Sequence, residues 1–433
     1  MNTQLMTHFV GALGTARAVN FLGTIIFIKW ALKEKPDTMA QCEIYSLKII
    51  ADPSGIDGDM IWRTLSKKLE RIEGEYAELF KWLDCSDPLP ILGLDSSLYV
   101  SMIEAVAASD LDERSLLAQL SSQVDSGAVE TPASIAALIG KLAASQAGDS
   151  ILDPVCGSAS LLTACAVRGA RITGLERNQS LWFLAKLNVI FSGYSSESIY
   201  NSDCLIDPPE SSDKYDVVVG NPPWGLRLES RAAALVESGE IWFEANPKTF
   251  LDYAFVLEMI RRMRPLTGRV AVLVSNGMLT RPGPEAEVRR QLVERNLLEA
   301  VIGLPDKMFA NSSIGSSILM FKMDRASKDI LFVDARGYAT LSRGQNSFSD
   351  HAVGEISTLV KDARTLEGVS RMVTPEEVAT QEFSINVPRY IDSAPKTTDL
   401  TDEMMPRHKE ALQNELERLS QQIQALSEKL KRH

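Results

Sequence analysis

The tetrapeptide Asn221-Pro222-Pro223-Trp224 stands directly behind a short apolar run in the stretch "YDVVVGNPPWGL". An amino group attached to an aromatic ring is a poor nucleophile, because its lone pair is delocalised into the ring. Two acceptors fixed beside it, the side-chain oxygen of Asn221 and the carbonyl oxygen of Pro222, would each take one N–H and free that lone pair for in-line attack. The prolines fix φ and keep both acceptors placed. The indole of Trp224 offers a face on which a flat ring can stack. A turn stiffened by two prolines is also ordinary punctuation, so its meaning depends on the element that delivers it.

Three other polar residues end apolar runs in the same part of the chain. "SILDPVCGSASLL" reads as a strand ending in Asp153-Pro154, a small-residue loop through Gly157, Ser158, Ala159 and Ser160, and a helix beginning near Leu161. It is not a GxGxxG sequence, so a dinucleotide fingerprint is not supported. "RITGLERNQ" ends in Glu176, about twenty residues after the glycine loop, where a carboxylate can accept hydrogen bonds from both hydroxyls of a ribose. "NSDCL" puts Asp203 over the same crevice, as a polar contact to a purine. Taken singly, these are a tight turn and two solvated acids; at successive strand ends they point to a nucleoside-containing cofactor.

Such a constellation needs an open sheet, and the surrounding pattern supplies one. From Ser150 the runs "SILDPV", "ARITGLE", "SIYNSD", "YDVVVG" and "RVAVLVS" are each followed by a helical pattern, which predicts an α/β fold with a mostly parallel sheet covered on both faces. "EAVIGLP" and "SSILMFKM" lie too close together for a crossover helix and are expected to pair antiparallel at the sheet's end. "DILFVDAR" suggests a further strand. Residues 1–125 carry helix-period patterns without strand alternation and read as a helical domain, followed by a catalytic domain over 126–391. "AVNFLGTIIFIKWAL" is interrupted at Lys29, lacks a cationic leader and cleavage site, and is too short for a membrane span, so a buried helix is expected.

Residues 392–433 read as a linker and an amphipathic helix. Leu412, Leu416, Leu419, Ile423, Leu426 and Leu430 alternate four- and three-residue steps, the seam of a coiled coil or of a helix lying on its own domain. Five scattered cysteines without CxxC spacing predict reduced core thiols of a cytoplasmic protein, with no metal site. The formal net charge of -12 over 433 residues argues against a chain that wraps a polyanion by itself.

With these residues in view, the chain resembles the modification subunit of type I restriction-modification systems, a class I S-adenosylmethionine-dependent N6-adenine DNA methyltransferase. "DPVCGSASLL", "GLERN" and "GNPPWG" carry the resemblance, supported by "NPKTFLDYAFVLEMI", "RVAVLVSNGML", "EAEVRRQLVERNLLEAVIGLPDKMF", "GSSILMFK" and "EFSINVPRYID". It covers residues 120 to 391 well and the helical domain loosely. It implies a Rossmann-like methyltransferase sheet and S-adenosylmethionine as cofactor. Thr131-Pro132 of "GAVETPASIA" would cap a helix beside the methionine part, with Asp153, Pro154, Gly157 and Ser158 at the amino-acid end, Glu176 at the ribose and Asp203 at the adenine. Asn221, Pro222, Pro223 and Trp224 would hold the target adenine, with Asn221 also bordering the cofactor.

The chain departs from the family pattern at three places. Val129 and Glu130 precede Thr-Pro where aromatics are usual. Ala159-Ser160 follow the loop where glycine is usual, and Ala159 is tolerable only with negative φ. Ser275 precedes Asn-Gly where proline is frequent.

No stretch between Trp224 and the tail is left over for a target-recognition domain, which takes about a hundred residues or more. The resemblance supplies a separate specificity subunit, docked on the leucine-spaced tail, and possibly a restriction subunit. Arg227, Arg231 and Lys248 could close over DNA near an extruded base. Two other readings stay open: methylation of a protein glutamine amide, which also uses Asn-Pro-Pro-aromatic turns, and a non-catalytic scaffold that keeps the fold.

Overall fold

The computed structural model describes residues 3–47, 65–72, 76, 79, 96–124, 130–209, 213–227, 251–309, 314–342 and 344–392. Helices α1 (Thr3–Leu13), α2 (Thr15–Glu34), α3 (Pro36–Gln41), α4 (Ser96–Ala107) and α5 (Glu113–Ser121) precede the first strand. α2 is apolar on all sides, and Phe21, Leu22, Ile25, Ile26 and Phe27 are fully buried. It is long and apolar enough to cross a membrane, yet α1, α3, α4 and α5 pack around it, which makes it the core helix that an all-round apolar surface calls for. Lys29, the interruption in that run, donates to the carbonyls of Val106 and Ser109 at 3.1 and 2.8 Å, where α4 ends and its last carbonyls lack helical partners. α2 also crosses α8 (Gln179–Phe191), which contributes Leu181, Phe183, Leu184 and Leu187 to the same core. The crossing is close enough that a Cβ on Gly23 would lie 2.7 Å from the Phe183 ring.

α6 (Ala133–Ala143) leads into the sheet: β1 (Ser150–Asp153), α7 (Ser160–Cys165), β2 (Arg171–Glu176), α8, β3 (Ile199–Asn201), β4 (Val217–Gly220), α9 (Asp252–Arg262), β5 (Arg269–Ser275), α10 (Pro284–Glu294), β6 (Leu298–Gly303), β7 (Ser316–Lys322) and β8 (Ile330–Asp334). After them come β9 (Ala339–Ser342), β10 (Gln345–Phe348), α11 (Asp350–Lys361), β11 (Ser370–Val373) and α12 (Pro375–Thr380). The described strands form one nine-stranded sheet in the order β11-β8-β6-β7-β5-β4-β1-β2-β3, with β9 and β10 as a separate ribbon. β3, β2, β1, β4 and β5 are mutually parallel. β1, β4 and β5 are buried on both faces, as their unbroken apolar runs require. The strand order reverses at β1, so β1 and β4 flank the crevice where ligands of open α/β sheets bind. Below that crevice Asp216 accepts from the Ser150 backbone N–H and hydroxyl at 2.9 and 2.8 Å and pairs with Arg264, tying the lower ends of β1 and β4 together.

β6 and β7 pair antiparallel as expected, but they do not end the sheet. β8 adds parallel to β6, and β11 adds antiparallel to β8. The edge segment "SRMV" is too short, and too polar at Arg371, to show as an apolar run. Of the five cysteines, Cys42, Cys156, Cys165 and Cys204 are free and buried; Cys85 lies outside the described residues. So do the residues from 393 onward of the linker and leucine-spaced helix expected over 392–433, and Arg231 and Lys248.

Candidate active site

The strands β1, β2, β3 and β4 bring their carboxyl ends to one edge of the sheet, and Asp153, Glu176, Asp203 and Asn221 stand at or just beyond those ends. Asp153 ends β1, is 1% exposed, and accepts the Val155 N–H at 3.0 Å. Burial pushes its carboxyl up to about 7, the Val155 hydrogen bond opposes the rise, and the charge of Glu176 adds to it. A carboxyl raised in the folded state favours folding when protonated, so this contribution is full below the ordinary value of 3.8 and is lost as pH rises through 7. Asp153→Asn keeps the acceptor for Val155 and removes the buried charge. It is therefore expected to be more stable than wild type at pH 8, by up to roughly 4 kcal/mol, with the gap closing toward pH 4 in a series of thermal melts.

Past the buried Pro154, Gly157 takes φ 56° with open space where a Cβ would project, a backbone that a ligand can approach closely. Ser158 is buried, its carbonyl accepting from Asn188 at 2.9 Å. Ala159 sits at φ 61° at the head of α7. This corrects the expectation of negative φ: the loop keeps the left-handed turn that glycine makes elsewhere and accepts the strain of a methyl group, worth about 1 kcal/mol. Ala159→Gly is expected to recover about 1 kcal/mol in a denaturant titration, less whatever unfolded-chain entropy glycine adds.

Glu176 ends β2. Its Oε2 accepts the Gly157 N–H at 2.9 Å and its Oε1 the Asn178 N–H at 2.6 Å, and Asn178 in turn caps α8 through the backbone N–H groups of Ser180 and Leu181. One carboxylate thus locks the loop after β1 to the start of α8. Burial raises its pKa, opposed by the hydrogen bonds from Asn178 and Gly157 and by the charge of Arg177. A carboxylate has lone pairs for about four hydrogen bonds, so each oxygen retains capacity for a ribose hydroxyl, and the residue fits a nucleoside cofactor. Asp203 follows β3. Its Oδ1 accepts the N–H groups of Leu205 and Ile206 at 2.9 and 3.2 Å, and its Oδ2 lies 3.7 Å from Arg177. Its first task is to shape this turn, with one oxygen on the Arg177 side.

The turn after β4 is fastened at both ends. Asn221 donates through Nδ2 to Thr131 Oγ1 at 3.1 Å, across 90 residues. That bond orients the amide. Pro132 occupies the N-cap position of α6, without a side-chain cap hydrogen bond, while the Thr131 hydroxyl accepts from the Asn221 amide. At the other end the Gly225 N–H donates to Asp252 Oδ1 at 3.0 Å. Asp252 opens α9, is 2% exposed, and has Arg281 at 3.5 Å from its Oδ2, with Glu285 pairing Arg281 at 3.0 Å. Pro222 is buried between these anchors and Pro223 half-buried. Trp224 meets the Phe309 ring edge to face, centroids 5.2 Å apart at 87°, and its indole N–H is buried without a hydrogen-bond partner among the described residues.

Asp252, Arg281 and Phe309 were invisible in the sequence as parts of this site, because each reaches it through a contact far along the chain. The buried Arg289 is another such support. Its guanidinium donates to the carbonyls of Phe383, Met278 and Arg281, each at 2.7 Å. It thereby pins the segment after β5 to the "EFSINVPRY" stretch, and the only local hint was an arginine inside the apolar spacing of α10.

Comparison with known proteins bears on this geometry. The family model described as N-6 DNA Methylase matches residues 114–399. The methylase subunit of type I restriction enzyme MjaVII from Methanocaldococcus jannaschii is 28% identical over 299 residues, 63% of this chain and 51% of that protein. The corresponding MpnII subunit from Mycoplasma pneumoniae is 27% identical over 293 residues, 62% of this chain and 54% of that protein. The chain thus matches about half the length of these curated relatives. Among solved structures, a type I restriction-modification system methyltransferase subunit from Streptococcus thermophilus superposes with a TM-score of 0.71 at 20% identity, covering 90% of this chain and 99% of that one.

Proposed function

The chain belongs to the N-6 DNA methylase family, and from that premise we propose that residues 126–391 form a catalytic unit that methylates the N6 amino group of adenine in DNA. The observation that carries the reading is the double fastening of the Asn221–Trp224 turn, by Thr131 at one end and Asp252 at the other, beside the strand ends that carry Asp153 and Glu176. A proline-stiffened turn used only as punctuation has no need of two long-range anchors.

S-adenosylmethionine, when bound, supplies a methyl group on a positively charged sulfur. In this reading Glu176 would accept from the two ribose hydroxyls, Asp203 would contact the adenine end, and Asp153, Pro154, Gly157 and Ser158 would hold the amino-acid end. Thr131 holds the Asn221 amide so that Asn221 Oδ1 and the Pro222 carbonyl each accept one N–H of the target amino group. This draws the nitrogen toward tetrahedral geometry and localises its lone pair. Pro223 stiffens the turn, Trp224 stacks on the extruded base, and Phe309 holds the indole in place.

The reading assigns site recognition to a partner. With a net charge of -12, the chain relies on a specificity subunit docked on residues 392–433, within a complex to which a restriction subunit can add. Incubation of the purified chain and its co-purifying partner with tritiated S-adenosylmethionine tests this. Label in duplex DNA is expected; label in a protein acceptor instead would favour glutamine methylation, and label in neither would favour the scaffold.

A further inference from the structure

Glu130 is an acidic residue beside the glycine loop whose chemistry the proposed mechanism leaves unused. It precedes Thr131, the residue that holds Asn221, and its Oε1 accepts from the hydroxyls of Ser160 at 3.2 Å and Ser158 at 3.5 Å, which are themselves 2.7 Å apart. Its Oε2 makes no hydrogen bond among the described residues. Water reaches the residue, yet protein atoms crowd the carboxyl enough that burial raises its pKa, with the Ser160 and Ser158 hydrogen bonds opposing.

The amino-acid end of the cofactor assigned above carries an α-ammonium, and a cation in a crowded site needs an anion. Asp153 is poorly suited to that task alone: it is 1% exposed, its Oδ1 is taken by Val155, and burial favours its neutral form. Glu130 is reachable from solvent, is held by two hydroxyls of the very loop that flanks this end, and keeps one oxygen pointed to no other described group. We infer that Glu130 is a cofactor-binding residue whose carboxylate pairs with the α-ammonium of S-adenosylmethionine. Because Glu130 and Thr131 are adjacent, the same two residues then join the cofactor's charged end to the catalytic turn. The inference rests on the cofactor assignment of the proposed function.

The test is calorimetric titration of the full chain with S-adenosylmethionine, S-adenosylhomocysteine, S-adenosylhomocysteine lacking its α-amino group, and 5′-methylthioadenosine. Glu130→Gln keeps the shape and the acceptor for the serine hydroxyls and removes the charge. It is expected to weaken the two ligands that carry the ammonium by about tenfold or more, the size of one charge-assisted hydrogen bond, and to leave the two that lack it within about twofold. Equal losses for all four ligands, or no loss for any, would overturn the assignment while leaving the cofactor reading standing. Failure of the wild-type chain to bind any of the four would remove the cofactor reading and this inference with it. A Ser158→Ala/Ser160→Ala chain provides the second check. Freed of its two donors, Glu130 is expected to lose part of the same discrimination between ligands with and without the ammonium, and unchanged discrimination would count against the geometry.

Discussion

Alanine in place of Asn221 is expected to lower methyl transfer by about 10²–10³-fold, the loss typical when one preorganised polar group that acts in the transition state is removed. The side chain does two jobs. Its Oδ1 accepts from the target amine in the proposed mechanism, while its Nδ2 is spent on Thr131. Cofactor affinity should change by no more than a few-fold, because the carboxylates that the proposal assigns to the nucleoside, Glu176 and Asp203, follow β2 and β3 and do not belong to the turn. Asn221→Asp retains acceptor oxygens but gives up the Nδ2 donor to Thr131, and should fall between wild type and the alanine variant. Steady-state rates beside equilibrium cofactor binding separate the two jobs: a variant with unchanged transfer, or one that loses rate and cofactor affinity in equal measure, does not fit a turn that acts on the amine.

The second large effect is expected at Glu176. Hydrogen bonds to a charged group contribute about 1.5–3 kcal/mol each, so loss of two ribose contacts in Glu176→Ala corresponds to a weakening of cofactor binding by about 10²–10⁴-fold. The same substitution strips the partners from the N–H groups of Gly157 and Asn178. The loop and the start of α8 are then released together, and folding stability should fall by about 1–3 kcal/mol for each donor left buried and unpaired. Glu176→Gln does not rescue both faces, because its NH₂ must meet a backbone donor at one of the two positions. Calorimetric titration and urea unfolding of the same preparations distinguish the two losses.

These two residues also mark what a sequence makes legible. Asp153, Glu176 and Asn221 could be placed because each ends an apolar run in a regular strand-helix alternation, and that alternation dictates a parallel sheet whose carboxyl edge collects them. The link from Asn221 to Thr131 spans 90 residues and follows no local period. The same holds for the Gly225–Asp252 anchor and for the Phe309 ring against Trp224. Ala159 shows the limit from the other side: its residue type argues for negative φ, but the loop geometry wins and the methyl group is carried at φ 61°. β11 was missed because an edge strand needs only one buried face and can be four residues long. The β9–β10 ribbon gave no apolar alternation for a related reason. Its backbone is held from outside its own pairing, with the Asn346 N–H and the Gln345 side chain donating to the carbonyls of Lys307 and Met308 at 2.9 and 2.8 Å.

The central claim is that the turn from Asn221 to Trp224 works on the amino group of a DNA base. The most direct test is nucleoside mass spectrometry of duplex DNA exposed to the chain, its partner and S-adenosylmethionine carrying a deuterated methyl group. The predicted result is labelled N6-methyldeoxyadenosine in the wild-type reaction and its loss with Asn221→Ala. Label on another nucleoside, or an Asn221→Ala reaction that matches wild type, would contradict it.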